Sequence, residues 1–215
     1  MDSHRKPVDI VIQAPAKLNL FFEVLAKRAD GYHEIETLMV PIDLFDTICF
    51  KEDSSGQIRL DCRVIANSPH NDILRTVPAG AENLAYRAVE LLRRRAKVRG
   101  GAELRLVKRI PAAAGLGGGS SDAADALSAA NKGWRLNWDK ADLVGLAAEL
   151  GSDVPFFLDD GPAVCRGRGE IIEPLTGLGT MGYLLSSRGL IRPEPVQQGR
   201  AGMFGFLPLL SGLLC

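Results

Sequence analysis

The residue types best suited to chemistry gather in one run, Pro111-Ala112-Ala113-Ala114-Gly115-Leu116-Gly117-Gly118-Gly119-Ser120-Ser121-Asp122, which places four glycines between positions 115 and 119. Glycine loses more backbone entropy on folding than any other residue, so a cluster of it is useful where φ must be positive or where another body must approach the main chain. A phosphate is such a body. Main-chain N–H groups in a glycine turn, backed by the positive end of a helix dipole, form an anion site. The same residues also fit a plain flexible turn in which Ser121 caps the following helix. Two common phosphate loops are excluded. A Walker loop needs Lys directly after its last glycine, where Ser120 stands, and the fingerprint G-x-G-x-x-G begun at Gly115 needs glycine at 120.

Three other places carry reactive or recognising side chains. Lys17 and Asn19 lie two apart, so in an extended segment they share one face, either as part of a site or as the solvated face of an edge strand. Tyr32 and His33 leave the Asp30-Gly31 turn as a ring pair that can stack on a flat ligand or simply pack. Asp153, in Gly151-Ser152-Asp153-Val154-Pro155-Phe156-Phe157, sets a carboxylate beside apolar residues. Burial raises the pKa of such a group and a nearby lysine lowers it, so Asp153 can serve as a general base or merely close the turn.

The elements that must position these groups are legible in outline. Val8–Gln13 and Lys17–Leu25 read as two strands or one bent strand, Arg28–His33 as a turn, and Ile35–Val40 as a strand again. Asp46–Lys51 and Ile58–Val64 read as a hairpin around Asp53-Ser54-Ser55-Gly56, followed by a polar connection from Ala66 to Gly80. Glu82–Val98 has helical spacing and a basic end, Arg93-Arg94-Arg95, that suits a helix C-terminus. Ala102–Val107 alternates as a strand and delivers Lys108-Arg109 to the glycine run, after which Ser121–Lys132 reads as a helix with a small-residue face. Asn137 or Asp139 caps a further helix that Gly151 ends in a left-handed conformation.

Composition restricts the partners. With 46% hydrophobic residues in 215, the chain can bury a core, and 26 Lys plus Arg against 26 Asp plus Glu leave no global field to attract nucleic acid or an anionic membrane. Cys49, Cys62, Cys165 and Cys215 lack C-x-x-C spacing, and His4, His33 and His70 are scattered, which argues against a zinc site or disulfide framework. The polar start and the short, proline-interrupted apolar end, Met203–Cys215, give neither a signal peptide nor a membrane anchor and lead us to expect a cytoplasmic protein.

Taken together, Pro15-Ala16-Lys17-Leu18-Asn19-Leu20, the Arg28–His33 turn, the Pro111–Asp122 run and Gly151–Phe157 resemble the GHMP family of small-molecule kinases, in family order over roughly Val8–Pro174. The resemblance implies an α+β fold, a GHMP kinase N-terminal lobe similar to the second domain of ribosomal protein S5. That lobe would span 1–165, with 166–182 beginning a C-terminal lobe. It implies ATP and Mg²⁺ as cofactors and a small-molecule substrate whose hydroxyl is phosphorylated; within the family the chain is most similar to members acting on a cytidine diphosphate ester of methylerythritol. By motif, Lys17 and Asp153 would be catalytic, and Pro111 through Ser121 would hold the ATP phosphates, with Ser120 or Ser121 near the metal. Asn83 would lie near adenine, and Asn19, Tyr32, His33 and Lys108 on the substrate side. A kinase for another small alcohol and an inactive nucleotide-binding remnant are the alternatives. After Gly182 the pattern stops: residues 183–215 are rich in Gly, Pro, Leu and Arg without periodicity, so we expect a non-matching, disordered tail from truncation or a frame shift, and an incomplete or aberrant C-terminal lobe.

Overall fold

The computed structural model describes residues 9–65, 77–78, 80–183 and 185. Its frame is a pair of long antiparallel strands, β1 (Ile10–Lys27) and β2 (His33–Asp53), in register from Ile10 opposite Phe50 to Lys27 opposite His33. The expected turn joins them, with Gly31 at φ 87° and the Arg28 N–H donating to Tyr32 O at 2.8 Å. Of the two readings for the first segment, one bent strand is correct. The bends are register shifts at Pro15/Ala16, Asn19/Phe21 and Val24/Ala26, and the first coincides with a proline that cannot donate to the ladder.

The other edge of β2 is shared. β4 (Gly101–Lys108) pairs antiparallel with Thr47–Asp53, and β5 (Ala163–Gly167) with Ile35–Met39. β3 (Ile58–Val64) runs parallel to β4, and β6 (Ile171–Pro174) antiparallel to β5, so the order is β3-β4-β2-β5-β6 with β1 on β2. The expected hairpin of Asp46–Lys51 with Ile58–Val64 is therefore wrong. The turn reverses the chain, but β4 inserts between the two strands: Ala102 N–H donates to Gln57 O at 2.9 Å, and a Cβ on Gly101 would lie 2.2 Å from that oxygen. Turn residues report a reversal, and only the later glycine admits the intruding strand.

One face of the sheet carries the helices. α1 (Leu84–Arg95) crosses from β3 to β4, α2 (Gly118–Gly133) packs on β1, β2 and α1, and α3 (Lys140–Leu150) packs on α1 and α2. The small-residue face of α2 is borne out: Ala123, Ala124, Ala126, Leu127 and Ala130 are all fully buried. At its C-terminal end Gly133 is required by close approach, since a Cβ there would stand 2.2 Å from the Phe50 ring, which also meets Trp134 edge to face at 5.2 Å. α2 begins earlier than expected, inside the glycine run, with Gly117 at φ 70° as N-cap and no side-chain cap, so Ser121 is not the cap. Asp139 caps α3, accepting from Asp142 N–H at 2.9 Å. Gly151 is extended, at φ 171°, and not the left-handed stop expected; the chain then passes through a turn at Ser152–Val154 into a 3₁₀ turn at Pro155–Leu158.

The first compact unit ends at Thr176 and includes β5 and β6. A second begins at Gly177 and is described only over Gly177–Tyr183 and at Leu185, so the tail expected for 183–215 lies, apart from Tyr183 and Leu185, outside the described residues. Among the described residues no helix is long and apolar enough to cross a membrane.

Candidate active site

The bulge after Pro15 sets the geometry. Beyond it, the Lys17 N–H donates to Leu116 O at 2.9 Å, tying β1 to the glycine loop. The Lys17 stem is buried against that loop, since a Cβ on Gly117 would come 2.9 Å from Lys17 Cγ and 2.8 Å from Phe157 Cζ. Its ammonium donates to Asn19 Oδ1 at 3.0 Å and lies 3.6 Å from Asp153 Oδ2. Lys17 and Asn19 thus share a face, as the spacing predicts, and Asp153, one-third exposed, joins them from the turn after α3.

The loop itself forms one wall of a cavity of about 390 Å³. Pro111 to Ser120 line it on one side and Glu82, Asn83 and Leu84 on the other. Gly115 and Gly117 sit at φ 73° and 70°, so this glycine wealth serves positive φ at two positions and close packing at Gly117. Ala113 also has positive φ, 55°, a strained choice for a residue with a Cβ. The N–H groups of Gly118, Gly119 and Ser120 belong to the first turn of α2, which has no internal acceptors for them, so the wall presents donors. Ser120 lines the cavity, whereas Ser121 is fully buried with its Oγ unpartnered.

Beneath the loop lies a network that sequence reasoning missed. Lys108 is buried, and its ammonium donates to Asp46 and, at 2.6 Å, to Asp122 Oδ2. Asp46 Oδ1 also accepts from the backbone N–H groups of Arg109 and Ile110, just before the loop, while Asp122 stands in the second turn of α2, just after it. The network therefore pins both ends of the glycine run to β2. Burial works to lower the Lys108 pKa, but the two carboxylates outweigh it and hold the ammonium above its ordinary value. Burial pushes Asp122 up to about 7, against the pull of Lys108 and with repulsion from Asp46. Two carboxylates share one ammonium, so a retained proton neutralises the cluster. The signal available in sequence was Asp46 itself, a charge on the same strand face as Ile48 and Phe50, two and four positions on, so that it enters the core with them and must find a cation.

Of the residues expected on the substrate side, Lys108 thus borders the cavity but spends its donors on carboxylates. Asn83 also borders the cavity; its side chain caps α1 through Ala85 N–H at 2.9 Å and donates to Pro78 O at 2.8 Å. Tyr32 and His33 are exposed at the far end of the β1–β2 pair, where the guanidinium carbon of Arg168 stands 4.7 Å from the Tyr32 ring centroid. Arg168, from the turn between β5 and β6, was not singled out in the sequence.

Residues 83–161 match the GHMP kinases N terminal domain. A 4-diphosphocytidyl-2-C-methyl-D-erythritol kinase of Pelotomaculum thermopropionicum is 48% identical over 82% of this chain and 58% of its own. The protein of the same name from Exiguobacterium sibiricum is 43% identical over 77% and 54%. A crystal structure of 4-(cytidine 5'-diphospho)-2C-methyl-D-erythritol kinase superposes with TM-score 0.63 at 43% identity, covering 77% of this chain and 55% of the other. Methanococcus jannaschii mevalonate kinase, 18% identical, shares the fold with TM-score 0.57 over 79% of this chain and 56% of its own. The chain spans about half the length of the curated relatives it matches.

Proposed function

With residues 83–161 belonging to the GHMP kinase family as its N-terminal domain, we propose that this chain is the ATP-binding part of a kinase that phosphorylates the 2-hydroxyl of 4-diphosphocytidyl-2-C-methyl-D-erythritol. The observation that carries the reading is the placement of Lys17, joined through its backbone to the glycine loop at Leu116 and facing Asp153 with its ammonium. A phosphate-holding wall, a cation and a carboxylate meet at one place, the arrangement that phosphoryl transfer needs, since that reaction rests on in-line positioning and electrostatic stabilisation. The names and 40–48% identities of the relatives support the substrate.

In this reading the N–H groups of Gly118–Ser120 hold the ATP phosphates and Asn83 borders the nucleoside end of the cavity. Asp153 accepts the proton of the substrate hydroxyl as its oxygen attacks the γ-phosphorus, ADP leaves, and Lys17 stabilises charge on the reacting oxygens. Tyr32 and His33 read the cytosine ring, and Asn19 orients the Lys17 ammonium. A divalent cation fits the donor set: Ser120 and Asp122 border the cavity, Asp122 Oδ1 is buried without a partner, and an ion there would replace the proton that the Lys108 cluster retains. Among the described residues no three His, Cys, Asp or Glu side chains gather into a cage, which suits an ion held largely by ATP phosphates. When bound, Mg²⁺ would neutralise phosphate charge. The balanced overall charge supports a small-molecule partner rather than nucleic acid or an anionic membrane.

The test is product formation by this chain with ATP, Mg²⁺ and the cytidine substrate, followed by mass spectrometry. One phosphorylated product and one ADP per turnover are expected, with no reaction on mevalonate or homoserine. A preference for either acyclic alcohol would overturn the substrate, and ATP binding without product on any of the three would overturn the activity.

A further inference from the structure

The turn between β5 and β6, Gly167-Arg168-Gly169-Glu170, touches both ends of the proposed substrate path. Gly167 and Gly169 take φ values of 73° and 117°, and the turn is closed by Gly169 N–H donating to Arg166 O at 3.0 Å and Arg168 N–H donating to Glu170 Oε2 at 2.6 Å. Two successive residues point the turn at two different groups. The Arg168 guanidinium lies over the Tyr32 ring at 4.7 Å, and a Cβ on Gly169 would stand only 3.6 Å from Asp153 Oδ1. A planar guanidinium stacks well on an aromatic face, and its charge favours the ring's electron-rich side.

Tyr32 needs that support. It is 55% exposed on a turn, held otherwise by its backbone, through its N–H to Asp30 Oδ1 at 3.1 Å and its carbonyl to Arg28. Among the described residues, the Arg168 guanidinium is the charged group stacked on the ring. Glu170 at 3.8 Å from Arg168 Nε, with Asp30 nearby, keeps the guanidinium in place and balances its charge.

Resting on the cytidine reading above, we propose that Arg168 is a positioning residue for substrate specificity. It covers one face of Tyr32, so that the ligand's pyrimidine stacks on the other, and the rigid turn sets that ring at a fixed separation from Asp153. Arg168 acts through Tyr32 rather than by its own contact with the ligand.

Calorimetric titration of the chain with cytidine 5'-diphosphate tests this through a double-mutant cycle of Arg168→Met and Tyr32→Ala. Arg168→Met is expected to weaken binding about tenfold, within the range of cation–π contacts, and Arg168→Lys to recover part of that loss. In the Tyr32→Ala background Arg168→Met should change nothing further. The melting temperature should fall only slightly, because the Arg168–Glu170 pair, at 3.8 Å and partly exposed, is a weak contact. Unchanged affinity for Arg168→Met, or an equal loss with and without Tyr32, would overturn the positioning role while leaving the cytidine reading intact. Failure of the unmodified chain to bind cytidine 5'-diphosphate would overturn both.

Discussion

The Lys17 ammonium stands 3.6 Å from Asp153 Oδ2, with Lys17 buried and Asp153 one-third open to solvent. The asymmetry suits a division of labour: the cation is fixed by the loop, and the carboxylate stays accessible to a substrate. Asp153→Asn keeps the shape and removes the base, so kcat should fall about 100-fold or more with ATP affinity retained. Single-turnover kinetics with equilibrium ATP binding checks this, and near-normal turnover would remove Asp153 from the base role. Lys17→Met should lower kcat on a similar scale.

Gly117 and Ala113 make a contrasting pair within one loop. Both have positive φ, but a Cβ on Gly117 would press on Phe157 and Lys17 at under 3 Å. Gly117→Ala should therefore destabilise the fold by about 1–3 kcal/mol and displace Lys17, lowering turnover. Ala113→Gly relieves a left-handed residue while loosening the unfolded chain, so urea unfolding should show a change within about 0.5 kcal/mol.

Among the described residues Lys108 is the cation paired with both Asp46 and Asp122, and removing it leaves the cluster's remaining buried negative charge unpaired. Lys108→Met should lower stability by about 3–5 kcal/mol, read from urea unfolding. Asp122→Asn leaves the Lys108–Asp46 pair intact and should change stability by only about 1 kcal/mol. If both variants melt alike, the network does not pin the loop.

What sequence could show was local. The glycine run, the capping by Asp139, the small face of α2 and the shared face of Lys17 and Asn19 all follow from residue type and spacing within a few positions. What it missed depends on distant partners. β4 displaces the expected hairpin because Gly101 admits it beside Gln57, and Lys108 turns inward because Asp46, from β2, waits there. Helix α2 starts at Gly118 because the left-handed Gly117 ends the loop, a backbone decision that a search for side-chain caps overlooks.

Asp125 gives a pH signature free of the lysine network. It lies on α2 with Oδ2 buried and unpartnered, and burial pushes its pKa up to about 7, with Lys132 opposing and Asp160 reinforcing the shift. The ordinary value is 3.8, so between about pH 4 and pH 7 the folded chain keeps a proton that the unfolded chain has released. This contribution is complete below pH 4 and is lost as pH rises through 7; above that, the fold carries a buried, ionised carboxylate. Asp125→Asn replaces the group by a neutral one of the same shape. The variant should match the unmodified chain at pH 4 and exceed it at pH 8 by on the order of 2–4 kcal/mol. Urea unfolding at intervals from pH 4 to 8 provides the measurement. A stability difference that does not grow across that window would mean Asp125 is already ionised in the fold, with water or Lys132 supplying the partner that its Oδ2 lacks.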